Sequence, residues 1–181
     1  MIYVALLRGI NVGGRNKIDM KMLKQTFEGA GMHDVVTYIN SGNIIFSSEE
    51  TSRAGLSHIL EKAIYNDFGL QIKVLIRSRE EVTRINDTLP DTWKNDKEMR
   101  SDVMFLWDEI DDPSLLENLK IRPGIDTVKY TPGAILWSVD KKELSKSGLS
   151  KIAGTQIYKK VTVRNVNTVR KIHALMNTLD S

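Results

Sequence analysis

Twice along this 181-residue chain a β-prone run precedes a helical stretch, a tight two-strand hairpin, a second helical stretch and another strand. A hairpin closed by a short turn forces antiparallel pairing, so neither half suits a sheet of parallel strands wound through crossovers. In the first half the apolar run 2–7 reads as a strand covered on at least one face. Asp19 is placed to cap a helix, with Ile18 and Leu23 spaced as a hydrophobic staple and Met20, Leu23, Phe27 and Ala30 at helical intervals. Gly31 ends that helix. Residues 35–39 and 44–47 flank the turn Asn40-Ser41-Gly42-Asn43. A helix opening at Thr51 or Ser52 and stopping at Gly69, then a strand over 71–77, complete the order βαββαβ.

The second half repeats it. Ser78-Arg79-Glu80-Glu81 has capping-box spacing for a helix that Pro90 closes, and 91–101 reads as a polar connector. Residues 103–107 form a strand, and Asp112-Pro113 opens a short helix. A hairpin spans 127–130 and 135–139, a helix is expected within 146–158, and a strand covers 161–163. The last element is a helix from about 165 to 179. The fold class expected is α+β: two ferredoxin-like βαββαβ halves in tandem, residues 1–77 and 102–181, joined by the helix and connector 78–101. In such a half the sheet order is four-one-three-two.

Composition bounds the function classes. A hydrophobic content of 41% and a charged content of 27% are ordinary for a globular protein, and no apolar run nears the roughly 20 residues of a membrane helix. The N-terminus lacks the basic region and small-residue cleavage site of a signal peptide. The absence of cysteine excludes disulfides, a thiolate nucleophile and thiolate metal ligands. Cytoplasmic residence and no membrane partner are the expectation. The net charge of +3 is uneven: residues 141–171 hold nine Lys or Arg against one acid, Glu143. A basic face of that kind attracts polyanions, and it is also how a solvated lysine surface looks.

Three segments carry more polar chemistry than connection requires. The first is Arg8-Gly9-Ile10-Asn11-Val12-Gly13-Gly14-Arg15-Asn16, directly after the first strand. Its glycines permit positive φ and backbone N–H groups aimed at one point, and Arg8 and Arg15 suit carboxylate or phosphate oxygens. It is neither a Walker loop nor a dinucleotide fingerprint. The second is the turn holding Ser41 and Asn43, whose side chains serve either a ligand or the local backbone. The third is Thr162-Val163-Arg164-Asn165, where Asn165 caps the last helix and Arg164 stands beside its positive end.

No catalytic constellation is legible. His33, His58 and His173 are scattered without metal-ligand spacing, Ser41-Gly42 lacks a neighbouring base, and the acidic run 108–112 lacks the pattern of a calcium loop. An RNA-recognition motif shares the βαββαβ order and displays aromatics on its first and third strands. Here Tyr3 fits the first strand, but 43–46 lacks the basic-glycine-aromatic start and has only Phe46.

Ala5 to Gly14, Thr37 to Asn43 and Thr162-x-Arg164-Asn165-x-Asn167-Thr168 closely resemble the signatures of the domain-of-unknown-function 1697 family, in the same order along nearly the whole chain. The resemblance implies two ferredoxin-like repeats and no established activity, reaction or cofactor. Val166 stands where relatives often carry tryptophan. The expectation is a binding protein or an enzyme for a small anionic or phosphorylated ligand. Its site is one polar cleft drawn from Arg8, Asn11, Gly13, Gly14, Arg15, Ser41, Asn43, Thr162, Arg164 and Asn165. The alternatives are a nucleic-acid-associated protein using the basic C-terminal half, and a protein-interaction module.

Overall fold

The computed structural model describes residues 1–179. The chain divides into two compact units, Met1–Val82 with Ile172–Ser181, and Thr83–Lys171. The first holds β1 (Ile2–Leu7), α1 (Met20–Gly29), β2 (His33–Tyr38), β3 (Asn43–Ser47), α2 (Arg53–Phe68) and β4 (Val74–Ser78). Its sheet runs β2-β3-β1-β4, antiparallel throughout, with Val4 facing Ile45 on one side and Arg77 on the other. Asp19 caps α1 by accepting the Lys21 and Met22 amides at 2.9 and 3.1 Å. Ser52 caps α2, and Gly69 ends it at φ 68°, a conformation glycine adopts without a Cβ penalty.

Strand alternation sends Tyr3, Ala5 and Leu7 toward the helices, where they pack with Leu23, Phe27, Leu56 and Leu60. Phe46 stacks on Tyr3 and meets Phe27 edge-on, both at 5.8 Å. Each such side chain contributes about 1.5–3 kcal/mol through burial. Ile2, Val4, Leu6 and Ile45, on the opposite face, are equally buried. Tyr3 is only 1% exposed, so it cannot stack on a base in the manner of an RNA-recognition motif.

The second unit's sheet consists of β5 (Met99–Leu106), β6 (Thr127–Thr131), β7 (Ala134–Asp140) and β8 (Val161–Asn165), in the order β6-β7-β5-β8 and again antiparallel. The boundary between the units falls within α3 (Arg79–Thr88) and α4 (Val166–Met176). The capping box on α3 forms reciprocally: Glu81 N–H donates to Ser78 Oγ at 3.2 Å and Ser78 N–H to the Glu81 carboxylate at 3.3 Å. Asn165 caps α4 by accepting the Thr168 amide at 3.0 Å.

The two sheets repeat particular contacts as well as strand order. Leu7 N–H donates to Gly42 O, and Leu106 N–H to Gly133 O, each at 2.9 Å. Arg77 and Arg164 each precede a helix-capping residue, each is buried, and each donates through a guanidinium N–H to the carbonyl of the residue before it.

Sequence expectation and structure part company in the second unit's connections. The helix expected within 146–158 is replaced by 3-10 segments Lys141–Lys146, Leu149–Gly154 and Ile157–Lys160, and the one after Asp112-Pro113 is a 3-10 segment, Pro113–Asn118. At 147–148 the cause is Asp126. Its carboxylate takes Ser147 Oγ–H and the Gly148 amide (2.9 Å), together with Trp137 Nε1–H (2.8 Å) and the Arg122 amide (2.9 Å). This draws the chain at 147–148 out of helical register. Gly148 passes so near Lys120 that a Cβ would stand 1.4 Å from its carbonyl oxygen. In addition, β5 starts four residues before the strand expected from sequence, because Asp96 turns the chain by accepting the Glu98 and Met99 amides, both at 2.9 Å. α4 ends at Met176, short of the expected 179.

Burial of Asp126 favours its neutral form, but the bonds from Ser147, Arg122, Trp137 and Gly148 outweigh this and hold its pKa below the ordinary value. A depressed carboxylate pKa gives stability that is complete above the unfolded pKa and lost as pH falls through the folded one. Asp126→Asn turns an NH2 group toward N–H or O–H donors, so it should cost about 1–3 kcal/mol in urea denaturation at pH 7. The difference from wild type should shrink on acidification below roughly pH 4.

Candidate functional site

The glycine-rich segment after β1 is a small exposed hairpin. Val12 and Arg15 bridge, with Arg15 N–H donating to Val12 O at 2.9 Å across Gly13 (φ 57°) and Gly14 (φ 76°). Two consecutive positive φ angles make a tight turn whose twist suits antiparallel strands, which is why glycines stand at its tip. The base is fastened by asparagines in left-handed conformations, Asn11 (φ 53°) and Asn16 (φ 50°). Asn16 donates to Gly9 O at 3.0 Å. Asn11 accepts the Ile18 amide at 2.8 Å and donates to Ile18 O at 3.2 Å and Asn40 O at 2.8 Å.

That last bond joins the hairpin to the β2–β3 turn, at the same end of the sheet. Gly42 lies beneath the junction, where a Cβ would stand 2.8 Å from both Leu7 Cβ and Ile10 Cδ1. In the turn, Asn43 donates to Tyr38 O at 3.0 Å and Ser41 Oγ at 2.9 Å. Ile39 adopts φ 49°, a conformation that a β-branched residue holds only under strain.

Between the hairpin, the turn and the start of α1 opens a cleft of about 680 Å3. Asn11, Asn40 and Gly14 line one part of it, and Lys17, Asp19 and Lys21 another. Lys17 and Lys21 are exposed, and neither forms an ion pair among the described residues. The amides of Gly13 and Gly14 have no acceptor among the described residues. Asp19 brings one carboxylate, which already caps α1. Sequence reasoning missed Lys17 and Lys21; the legible signal was two cations flanking a helix-capping aspartate just past a glycine turn.

The residues singled out from sequence differ in exposure and in bonding. Gly13, Gly14 and Arg15 are exposed on the hairpin, and Arg8 is half-buried at its base. Asn11, Ser41 and Asn43 hold the two turns, and Asn43 is fully buried. In the second unit Thr162 and Arg164 are buried on one face of β8, and Arg164 donates to Thr162 Oγ1 at 3.0 Å and Val163 O at 2.9 Å. Burial lowers the Arg164 pKa to about 10, which leaves it charged at neutral pH. Asn165 is the α4 cap.

Of the nine basic residues at 141–171, Arg170 donates to Trp93 O and Pro90 O, Lys146 pairs with Glu143, and Lys160 pairs with Glu109. With Arg164 buried as well, the basic face offers less free charge than its sequence suggests. No group of three or more potential metal ligands occurs among the described residues. No helix among them is long and apolar enough to cross a membrane.

Gly42→Ala meets both an unfavourable φ of 86° and two side-chain clashes. It should destabilise the protein by about 1–3 kcal/mol in chemical denaturation. Ile39→Asn should have the opposite sign, a gain of up to about 1 kcal/mol, since asparagine tolerates this conformation and little burial is lost.

A comparison with curated proteins returns no match. Among solved structures, the chain is similar to the conserved bacterial protein SP0830 from Streptococcus pneumoniae, with 30% identity, a TM-score of 0.83, and coverage of 97% of this chain and 98% of that one. The model of a protein family of unknown function, DUF1697, matches residues 1–137. Three motifs in order, a matching family model over most of the chain and a relative alike along its whole length lead to one conclusion: the protein belongs to the DUF1697 family.

Proposed function

We propose that the protein binds a small anionic or phosphorylated ligand at the cleft beside the glycine hairpin, on a scaffold of two ferredoxin-like halves. The observation that carries this reading is the cleft itself, lined by Lys17 and Lys21, which form no ion pair among the described residues, and by Gly14, whose amide is unclaimed among them like that of its neighbour Gly13. Successive backbone N–H groups in a left-handed turn make an anion-binding concavity, and flanking cations supply charge. Arg15 stands on the same hairpin, whereas Asn11, Ser41 and Asn43 position the two turns. In this reading Thr162, Arg164 and Asn165 form the end of β8 and the start of α4, and they hold no ligand.

A compact site of this kind predicts a modest salt dependence, unlike the steep loss seen when many phosphates of a nucleic acid are neutralised. Pyrophosphate titrated into the full chain should shift the amide resonances of Gly13 and Gly14 in a saturable way. Lys17→Gln and Lys21→Gln should each weaken binding about tenfold, since a charge-assisted hydrogen bond contributes about 1.5–3 kcal/mol. Both are exposed substitutions that leave the fold intact. Unchanged affinity in both variants, or shifts confined to residues outside the hairpin and the start of α1, would sink the proposal.

A further inference from the structure

The second unit has a cavity of its own. It measures about 310 Å3, within the roughly 300–1,000 Å3 typical of small-molecule sites. It arises where the connections of this half are 3-10 segments: such short pieces do not pack as continuous cylinders and leave a gap between Pro113–Asn118 and Leu149–Gly154. Leu119, Leu149, Ile152 and Ile157 supply an apolar lining and belong to the hydrophobic cluster of this unit. Lys120, Arg122 and Lys151 supply three cations.

None of those cations forms an ion pair among the described residues, and no acid lines the cavity. The backbone around it is held firmly. Gly148 abuts Lys120 with no room for a side chain, and Asp126 binds the Arg122 and Gly148 amides, so the wall exists before any ligand arrives. Three unpaired cations at the edge of an apolar, preformed cavity select for a molecule with both features. We infer that this cavity binds an amphipathic anion, a phosphate or comparable dianionic head on a short apolar chain, with Arg122 and the two lysines at the head and Ile152 and Ile157 along the chain. This site is separate from the glycine-hairpin cleft and stands or falls independently of it.

The test uses the full chain and three probes followed by amide resonances: hexyl phosphate, inorganic phosphate and 1-hexanol. Hexyl phosphate should shift Gly148, Leu149 and Ile152 saturably and bind at least tenfold more tightly than either of the others. Arg122→Gln keeps the backbone amide that Asp126 needs and should weaken hexyl phosphate about tenfold. Ile152→Trp fills the cavity and should abolish the shifts while the remaining spectrum stays that of the folded protein. Equal binding of inorganic phosphate would reduce the site to surface charge and overturn the inference. So would equal binding of hexanol, an unaltered affinity in Arg122→Gln, or hexyl phosphate shifts that leave Gly148 to Ile152 unmoved.

Discussion

In each sheet one main-chain bond ties the end of the central first strand to its hairpin turn. The last amide of the first strand, at Leu7 or Leu106, donates to the carbonyl of the glycine in the adjoining hairpin turn. That bond sets where the central strand stops and aims the next segment across the mouth of the hairpin. The glycines hold positive φ, 86° at Gly42 and 91° at Gly133, because the carbonyl must face the strand while the turn reverses. In the first unit the space beneath is already filled by Leu7 and Ile10, so the turn, the strand end and the glycine hairpin form one packed junction.

What stood plainly in the sequence was whatever has a short-range cause. The apolar run 2–7, the Asp19 and Asn165 caps, the Ser78-to-Glu81 box and both hairpin turns are local patterns, and all form as read. The helix expected within 146–158 failed for a reason that lies some twenty residues away. Asp126 competes for the Ser147 hydroxyl and the Gly148 amide, and no window over 146–158 contains that competitor. Its own sequence neighbourhood, Gly124-Ile125-Asp126-Thr127, looks like an ordinary turn before a strand.

The polar segments were legible in the sequence, and the bonds their side chains make were not. Asn11 drew notice as a donor, and its donors are spent on Asn40 O and Ile18 O, so it builds the cleft's wall. Arg164 drew notice as a cation beside a helix start, and it is buried against Thr162 and Val163 O. Arg77 supplies the missing clue: it occupies the same place before its own helix, where it also reaches back to the preceding carbonyl and lies 3.9 Å from Glu81. Two arginines in one structural role argue that the position serves the strand-to-helix corner.

The corner where a first strand meets its hairpin is also built differently in the two units. In the first unit an asparagine amide spans it, from Asn11 to Asn40 O, and the segment beyond carries Arg15 and Lys17. In the second a carboxylate spans it: Asp111 takes the Gly133 amide at 3.0 Å and Tyr130 O–H at 2.7 Å, amid Asp108, Glu109 and Asp112. Basic side chains, Arg15 and Lys17, thus follow the corner in the first unit, where acids surround it in the second. Two identical half-chains assembled as a dimer would have to present the same polarity twice. Joined in a single polypeptide, the two units are free of that symmetry, and this chain carries different side chains at its two equivalent corners.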